Sequence, residues 1–255
     1  MNAVIIVIFT LLGLAVGSFL NVVIDRLGSG GSIVAPRSHC ENCGVVLGPL
    51  ELIPVVSYLW QRGRCRHCGA VIPKRLLWVE VATGAAFPLL YYYLGLSGEL
   101  GVAVFYVCLF IVIAVIDLEH NLILNKIIYP ALLIGLLINL FLPDLYIVPG
   151  ITGGGIGLGV GLGVLLLIVL LSRGGMGWGD VRLAAFIGLI TGWPNVLVAL
   201  FLAFVSGGVV AGIMVAVGGR GRKDIIPFGP FLCIATVVTV FWGNDILNWY
   251  LSFFG

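Results

Sequence analysis

The chain has 255 residues, is 61% hydrophobic and only 9% charged, and carries a formal net charge of +2. A soluble domain carries about 25% charged residues, so composition excludes one. It points to an all-α polytopic membrane protein, and no nucleic-acid partner is expected.

The first apolar run, residues 3–24, is long enough to span a bilayer and has no basic segment before it. It reads as a first transmembrane helix, closing a segment 1–25, rather than as a cleavable signal peptide. A polar island follows over residues 26–76 and holds four of the six cysteines and much of the cationic charge. The remainder, 77–255, reads as a membrane-embedded domain. In all, eight spans are predicted, at 3–24, 77–95, 100–117, 127–142, 151–171, 181–192, 195–217 and 228–251. The sixth reaches only ~18 Å at about 1.5 Å per residue, short of a ~30 Å hydrocarbon core. It reads as a half-length helix supported by its neighbours. The eighth is interrupted by Gly243-Asn244-Asp245.

Eight spans put all 13 Lys and Arg on one side, in segments 25–76, 118–126, 172–180 plus Arg182, and 218–227. The opposite loops carry only Glu99, Asp144 and Asp245. Lys/Arg excess marks the cytoplasmic side. Both termini are therefore expected outside, with the cysteine island in the cytosol. The fifth span repeats glycine in two ladders, Gly153-Gly157-Gly161 and Gly155-Gly159-Gly163. Small residues at this spacing allow close helix packing, here expected to hold the following turn against a neighbour.

Cys40-Glu-Asn-Cys43 and Cys65-Arg-His-Cys68 form two C-x2-C knuckles, each followed by glycine. This approaches the four-thiolate zinc pattern, a closed tetrahedral site in which the metal is structural. A reducing cytosol disfavours the disulfide alternative. His39 and His67 flank the ligands, but four cysteines suffice. Cys108 and Cys233 fall inside spans and read as small buried apolar residues.

Two acids stand at membrane depth. Asp117 ends the third span, and Asp180 closes the turn Gly174-Gly175-Met176-Gly177-Trp178-Gly179-Asp180. A carboxylate in hydrocarbon costs about 2.5–3.5 kcal/mol on insertion scales, which makes each a candidate functional group. Aspartyl catalysis needs two carboxyl groups sharing one proton: one activates water, and the other polarises the scissile carbonyl. Both acids fall at cytosolic helix ends, so they lie at equivalent depth. Gly177 and Gly179 beside them would allow unusual backbone angles and close approach by a substrate. The plainer alternative is that Asp180 caps the sixth helix and Asp117 sits in headgroups. Glu80, near Lys74 and Arg75, either pairs with a cation or takes a methyl-transfer or substrate-orienting role. Arg182 either neutralises the pair or marks the cytosolic face.

Six ordered motifs resemble those of the type IV prepilin peptidases, membrane aspartyl proteases with a Gly-x-Gly-Asp signature. They are Gly17-Ser18-Phe19-Leu20-Asn21 onward; Glu51-Leu52-Ile53-Pro54 between the knuckles; Arg62-Gly63-Arg64-Cys65; Ile116-Asp117-Leu118-Glu119-His120; Gly177-Trp178-Gly179-Asp180; and Pro227-Phe228-Gly229-Pro230. The resemblance implies that Asp117 and Asp180 are the catalytic pair, supported by Gly177, Gly179 and Arg182. It implies cleavage after glycine of the basic leader of a type IV prepilin or a type II secretion pseudopilin, at the cytosolic face of the bacterial inner membrane. It also implies N-methylation of the new N-terminus with S-adenosylmethionine, in the half that contains the island. Leu124-Asn125-Lys126 departs from the family's Leu-Pro-Asp, Gly28 stands where proline is common, and Asp25 replaces an aromatic or histidine. The cytosolic side carries 13 basic and 8 acidic residues, a net +5. That charge suits anionic lipid headgroups, so recognition of a basic leader must be local, with Asp25, Glu41, Glu51 and Glu119 as candidates. The rival readings are a peptidase without methyl transfer, a transporter whose acids carry protons or cations, and a non-enzymatic scaffold.

Overall fold

The computed structural model describes residues 3–31, 35, 37–172, 176–217 and 226–253. Arg173, Gly174 and Gly175 of the glycine-rich turn, and Arg220, Arg222, Lys223 and Asp224, lie outside the described residues. The described residues form nine α-helices and one 3-10 turn, with no strand. The helices are α1 (Ala3–Gly28), α2 (Val56–Trp60), α3 (Lys74–Leu94), α4 (Gly98–His120), α5 (Asn125–Phe141), α6 (Gly150–Leu171), α7 (Trp178–Thr191), α8 (Asn195–Ala216) and α9 (Gly229–Leu251).

A helix stands at each predicted span, but length and apolarity qualify only five of them to cross a membrane: α1, α4, α6, α8 and α9. Three fall short for different reasons. α5 is apolar but has 17 residues, α7 has 14, and α3 is long enough but less apolar, with Glu80, Pro88 and the run Tyr91-Tyr92-Tyr93 inside it. Gly243-Asn244-Asp245 does not break the last helix, because α9 continues through it to Leu251.

The chain divides into two compact units, Met1–Val112 and Ile113–Gly255, with the boundary inside α4. In the first unit α1 packs on α3. A Cβ on Gly17 would lie 2.1 Å from Thr83 Oγ1, and one on Gly13 2.4 Å from the Thr83 carbonyl oxygen. The contact therefore exists only with glycine at both positions. Asn21 Nδ2 donates to the Leu76 carbonyl at 2.9 Å, and Phe9 stacks on Tyr91 at 4.9 Å. The outer face of α1 leaves Val4, Val7, Ile8 and Leu11 exposed, as a lipid-facing helix requires. The polar island contains the 3-10 turn Pro49–Leu52 and α2, neither of which buries a residue.

In the second unit α7 is central and touches α5, α6, α8 and α9. Every residue from Val181 to Thr191 except Arg182 is buried. This explains how so short a helix persists among spans, since protein rather than lipid surrounds it. The α6–α7 contact is backbone against backbone. A Cβ on Gly157 would lie 2.2 Å from Gly188 O, and one on Gly161 2.3 Å from Ala184 O. Gly154, rather than Gly153, completes this row, 2.7 Å from Leu189 O. The ladder Gly155-Gly159-Gly163 meets nothing within 4 Å, so only one of the two predicted ladders packs among the described residues.

Candidate functional site

Asp117 lies in the last turn of α4 and is only 5% exposed. Its Oδ2 accepts the Gly229 backbone N–H at 2.9 Å. Gly229 is the first residue of α9, so the carboxylate sits where a helix presents unpaired N–H groups and a positive dipole end. Glycine is required there, because a Cβ would lie 2.6 Å from Asp117 Oδ2.

Asp180 sits in the first turn of α7, and its Oδ2 accepts the Gly177 N–H at 3.3 Å. The capping role weighed from sequence is therefore present. It coexists with a second relation, because Asp180 interacts electrostatically with Asp117. Cys233, one turn into α9 and 2% exposed, lies within electrostatic reach of both acids. Its burial agrees with the sequence reading; its nearness to the acids has no sequence signal.

Gly177 and Gly179 do not serve the unusual backbone angles expected of them. Gly177 is extended at φ −78°, ψ 147°, and Gly179 is helical. The reason for Gly179 is packing: a Cβ would lie 2.8 Å from Ile123 Cβ. Ile123 belongs to the short link after Asp117, so this close approach brings the start of α7 to the end of α4. Arg182 hydrogen-bonds Asn125 Oδ1 and stands 6.0 Å from the Tyr129 ring centre. Among the described residues it makes no ion pair with either acid.

The four island cysteines are brought together, with all Sγ atoms within 4.8 Å of one another. The two knuckles repeat one geometry. Cys40 N–H donates to Val45 O and Gly44 N–H to Cys40 O; Cys65 N–H donates to Ala70 O and Gly69 N–H to Cys65 O. Gly44 and Gly69 have φ of +69° and +72°, which explains why each knuckle ends in glycine. A Zn–S bond of about 2.3 Å implies a tetrahedral S–S edge of about 3.8 Å. Cys40 and Cys68 Sγ are 3.8 Å apart, and no cysteine is in a disulfide. The cluster could therefore hold a metal ion. The Ala70 N–H, with the Asn42 amide, draws the Cys68 thiol down to about 6. Against the pull of the Val45 N–H, burial and the neighbouring sulfurs raise Cys43 to about 11. His39 Nδ1 faces the Arg37 carbonyl and His67 Nε2 faces Glu51, so neither imidazole belongs to the cluster.

Glu80 does not pair with Lys74 or Arg75. It is 8% exposed, accepts the Val55 N–H at 2.7 Å, and hydrogen-bonds the Ser18 side chain. Val55 is held at φ +62°, a strained conformation for a β-branched residue. Arg75 pairs instead with Asp25. Three of the four candidate leader contacts, Asp25, Glu41 and Glu51, line one cavity with Glu80. Glu119 belongs to the other unit.

The comparisons with known proteins cover nearly the whole chain. The model of the bacterial peptidase A24 N-terminal domain matches residues 11–94, and that of the type IV leader peptidase family matches residues 104–212. A prepilin leader peptidase/N-methyltransferase of Stutzerimonas stutzeri is 32% identical, over 95% of this chain and 92% of its own. Proteins with the same name from Pseudomonas aeruginosa and Bacillus subtilis are 32% and 31% identical, over 96% of this chain and 93% and 97% of theirs. The chain belongs to the prepilin leader peptidase/N-methyltransferase family. No solved structure matches it.

The prepilin peptidase motifs acquire a physical meaning from this geometry. Pro227-Phe228-Gly229-Pro230 opens α9 and supplies the N–H that Asp117 accepts. Sequence reasoning used that motif only for resemblance. The available signal was a glycine next to a proline at a helix start, where the N–H groups are unpaired. The opening prepilin peptidase motif carries Gly17, Ser18 and Asn21, which touch Thr83, Glu80 and Leu76 of α3.

Proposed function

We propose that the chain is a membrane aspartyl endopeptidase that removes the basic leader from type IV prepilins or type II secretion pseudopilins, cutting after glycine. The observation that carries this reading is Asp117, buried on the Gly229 N–H and interacting electrostatically with Asp180. Asp117 and Asp180 share one proton, so their ionisation belongs to the pair. The ionised carboxylate takes a proton from water as the oxygen attacks the scissile carbonyl. The protonated partner donates a hydrogen bond to that carbonyl oxygen. Collapse returns a proton to the leaving nitrogen, giving a leader that ends in a free carboxylate and a mature chain that begins with a free amine. Gly177 and Gly179 support the Asp180 turn, and Arg182 anchors α7 to α5.

The same protein then N-methylates the new amine with S-adenosylmethionine, in keeping with its relatives' names. The island 26–76 is a cytosolic insertion whose Cys40, Cys43, Cys65 and Cys68 hold a structural zinc ion. The transmembrane helix 1–25 precedes it, and the membrane-embedded peptidase domain 77–255 follows. The protein resides in the bacterial inner membrane, with both termini outside and the acids at the cytosolic face. The distribution of Lys and Arg supports this orientation.

The test is cleavage of a pilin-type precursor in liposomes by wild type, Asp117→Asn and Asp180→Asn, with labelled S-adenosylmethionine present. Leader release by wild type alone, with label in the mature chain, is expected. Cleavage by both variants would refute the aspartyl assignment, and unlabelled product would refute methyl transfer.

A further inference from the structure

The first unit contains a cavity of about 320 Å3 between α1, α3 and the island. Small-ligand sites begin at about this size, roughly 300 Å3. Its walls are acidic: Asp25, Glu41, Glu51 and Glu80 all line it. Arg75 is the one Lys or Arg among the lining residues, and Asp25 pairs with it. Two of the carboxylates are largely desolvated. Glu80 is 8% exposed and is held by the Val55 N–H and the Ser18 side chain. Among the described residues, Glu51 Oε1 is buried without a hydrogen bond and lies 3.3 Å from His67 Nε2, while its Oε2 accepts the Gly48 N–H at 2.8 Å. Buried negative charge of this kind is costly unless a cation completes it. An apolar and aromatic wall, including Tyr58 and Leu52, completes the cavity.

A methyl transfer from sulfonium to amine brings together two cations, the sulfonium and the ammonium that must lose a proton. We propose that this cavity is the methyl-transfer site: it holds the sulfonium donor beside the new N-terminal amine of the cleaved pilin, and Glu80 takes the amine's proton. The inference rests on the methyl-transfer reading above. The ammonium gives its proton to Glu80. The freed nitrogen lone pair forms the N–C bond as the S–C bond breaks, and that bond's electron pair remains on sulfur as a neutral thioether. The product is a secondary ammonium, and Glu80 returns its proton to water. The Val55 N–H and the Ser18 side chain fix the carboxylate.

The test uses full-length protein in liposomes, with S-adenosylmethionine and a cleaved pilin-type peptide bearing a free N-terminal phenylalanine. Donor binding, methyl incorporation and leader cleavage are measured on each preparation. Glu80→Gln is expected to methylate about 100-fold more slowly, the scale of general-base catalysis. Its residual rate should climb as pH rises through about 7.7–8.0, where solvent deprotonates an α-amine; a merely structural role would not produce that profile. Ser57→Trp, which fills the cavity and leaves its carboxylates in place, should lose donor binding. Wild-type methylation by Glu80→Gln, or normal donor binding by Ser57→Trp, overturns the proposal. Should Glu80→Gln lose leader cleavage as well, Ser57→Trp decides: cleavage retained without donor binding supports the site, and cleavage retained with binding overturns it. A wild type that cleaves but neither binds nor uses the donor refutes the methyl-transfer reading itself, a result distinct from failure of the site alone.

Discussion

Gly229→Ala tests the support of Asp117 while leaving both acids in the sequence. The added Cβ would stand 2.6 Å from Asp117 Oδ2 and 3.1 Å from its Cγ. Contact distances that short force the carboxylate away and break the 2.9 Å bond from the Gly229 N–H. A hydrogen bond to a charged group contributes about 1.5–3 kcal/mol. If all of it is felt in the transition state, kcat falls about 10- to 150-fold at 1.36 kcal/mol per decade. KM should change little, because the perturbation lies at the reacting carboxylate and not along the substrate helix. The assay is steady-state leader cleavage in liposomes, with thermal unfolding recorded on the same sample. Gly159→Ala is the control, since nothing lies within 4 Å of a Cβ there. A Gly229→Ala enzyme with wild-type kcat would refute the claim that this N–H positions the acid. An equal loss in Gly159→Ala would assign the effect to general sensitivity of the helices.

Gly188→Ala drives a Cβ to 2.0 Å from Gly157 O; overpacking of this kind costs about 1–3 kcal/mol, so Tm in detergent should fall clearly below that of Gly159→Ala. Arg182→Ala removes contacts with Asn125 and Tyr129 and no contact with the acids. Its kcat should stay within about twofold of wild type, the range of a 0.5 kcal/mol surface change, and a loss of 100-fold would mean that the guanidinium serves the acids directly. Metal analysis should find one zinc bound by the four cysteines. Thiolates bind the metal and protons compete for them, so affinity falls as pH falls. Zinc content should therefore decline as the medium is acidified; a Cys65→Ser variant that retains full zinc would refute the site.

Element positions were legible because apolar runs and their breaks are local properties of the chain. The two acids and the two knuckles were legible for a related reason: a carboxylate in hydrocarbon and a paired C-x2-C are costly or purposeless without a role. What one element does to another was not. Periodicity indicated that α6 has faces of small residues, but it could not say which of them meets α7, and Gly155, Gly159 and Gly163 meet nothing. Gly179 was expected to allow unusual backbone angles and close approach by a substrate, and it is a packing site for Ile123. Glu80 stands beside two cations in sequence, yet its carboxylate accepts from Val55, 25 residues away. The half-length sixth span shows the opposite case. Its shortfall against the bilayer was readable, and its burial among α5, α6, α8 and α9 supplies the reason.

That burial makes Asp180 a residue with two duties, and they can be separated. α7 has 14 residues, about 21 Å at 1.5 Å per residue, against a hydrocarbon core of about 30 Å. Its ends must therefore be satisfied by protein. At the C-terminal end Gly192 N–H donates to Gly188 O and Trp193 N–H to Gly153 O. At the N-terminal end Gly177 N–H has the Asp180 carboxylate. An amide oxygen can accept that hydrogen bond but cannot share a proton with Asp117. Asp180→Asn should therefore abolish leader cleavage while keeping stability, whereas Asp180→Ala should lose cleavage and about 1 kcal/mol of stability with the cap. Equal thermal destabilisation of the two variants would refute the capping duty. Cleavage retained by Asp180→Asn would remove Asp180 from the catalytic pair and leave it as a cap alone.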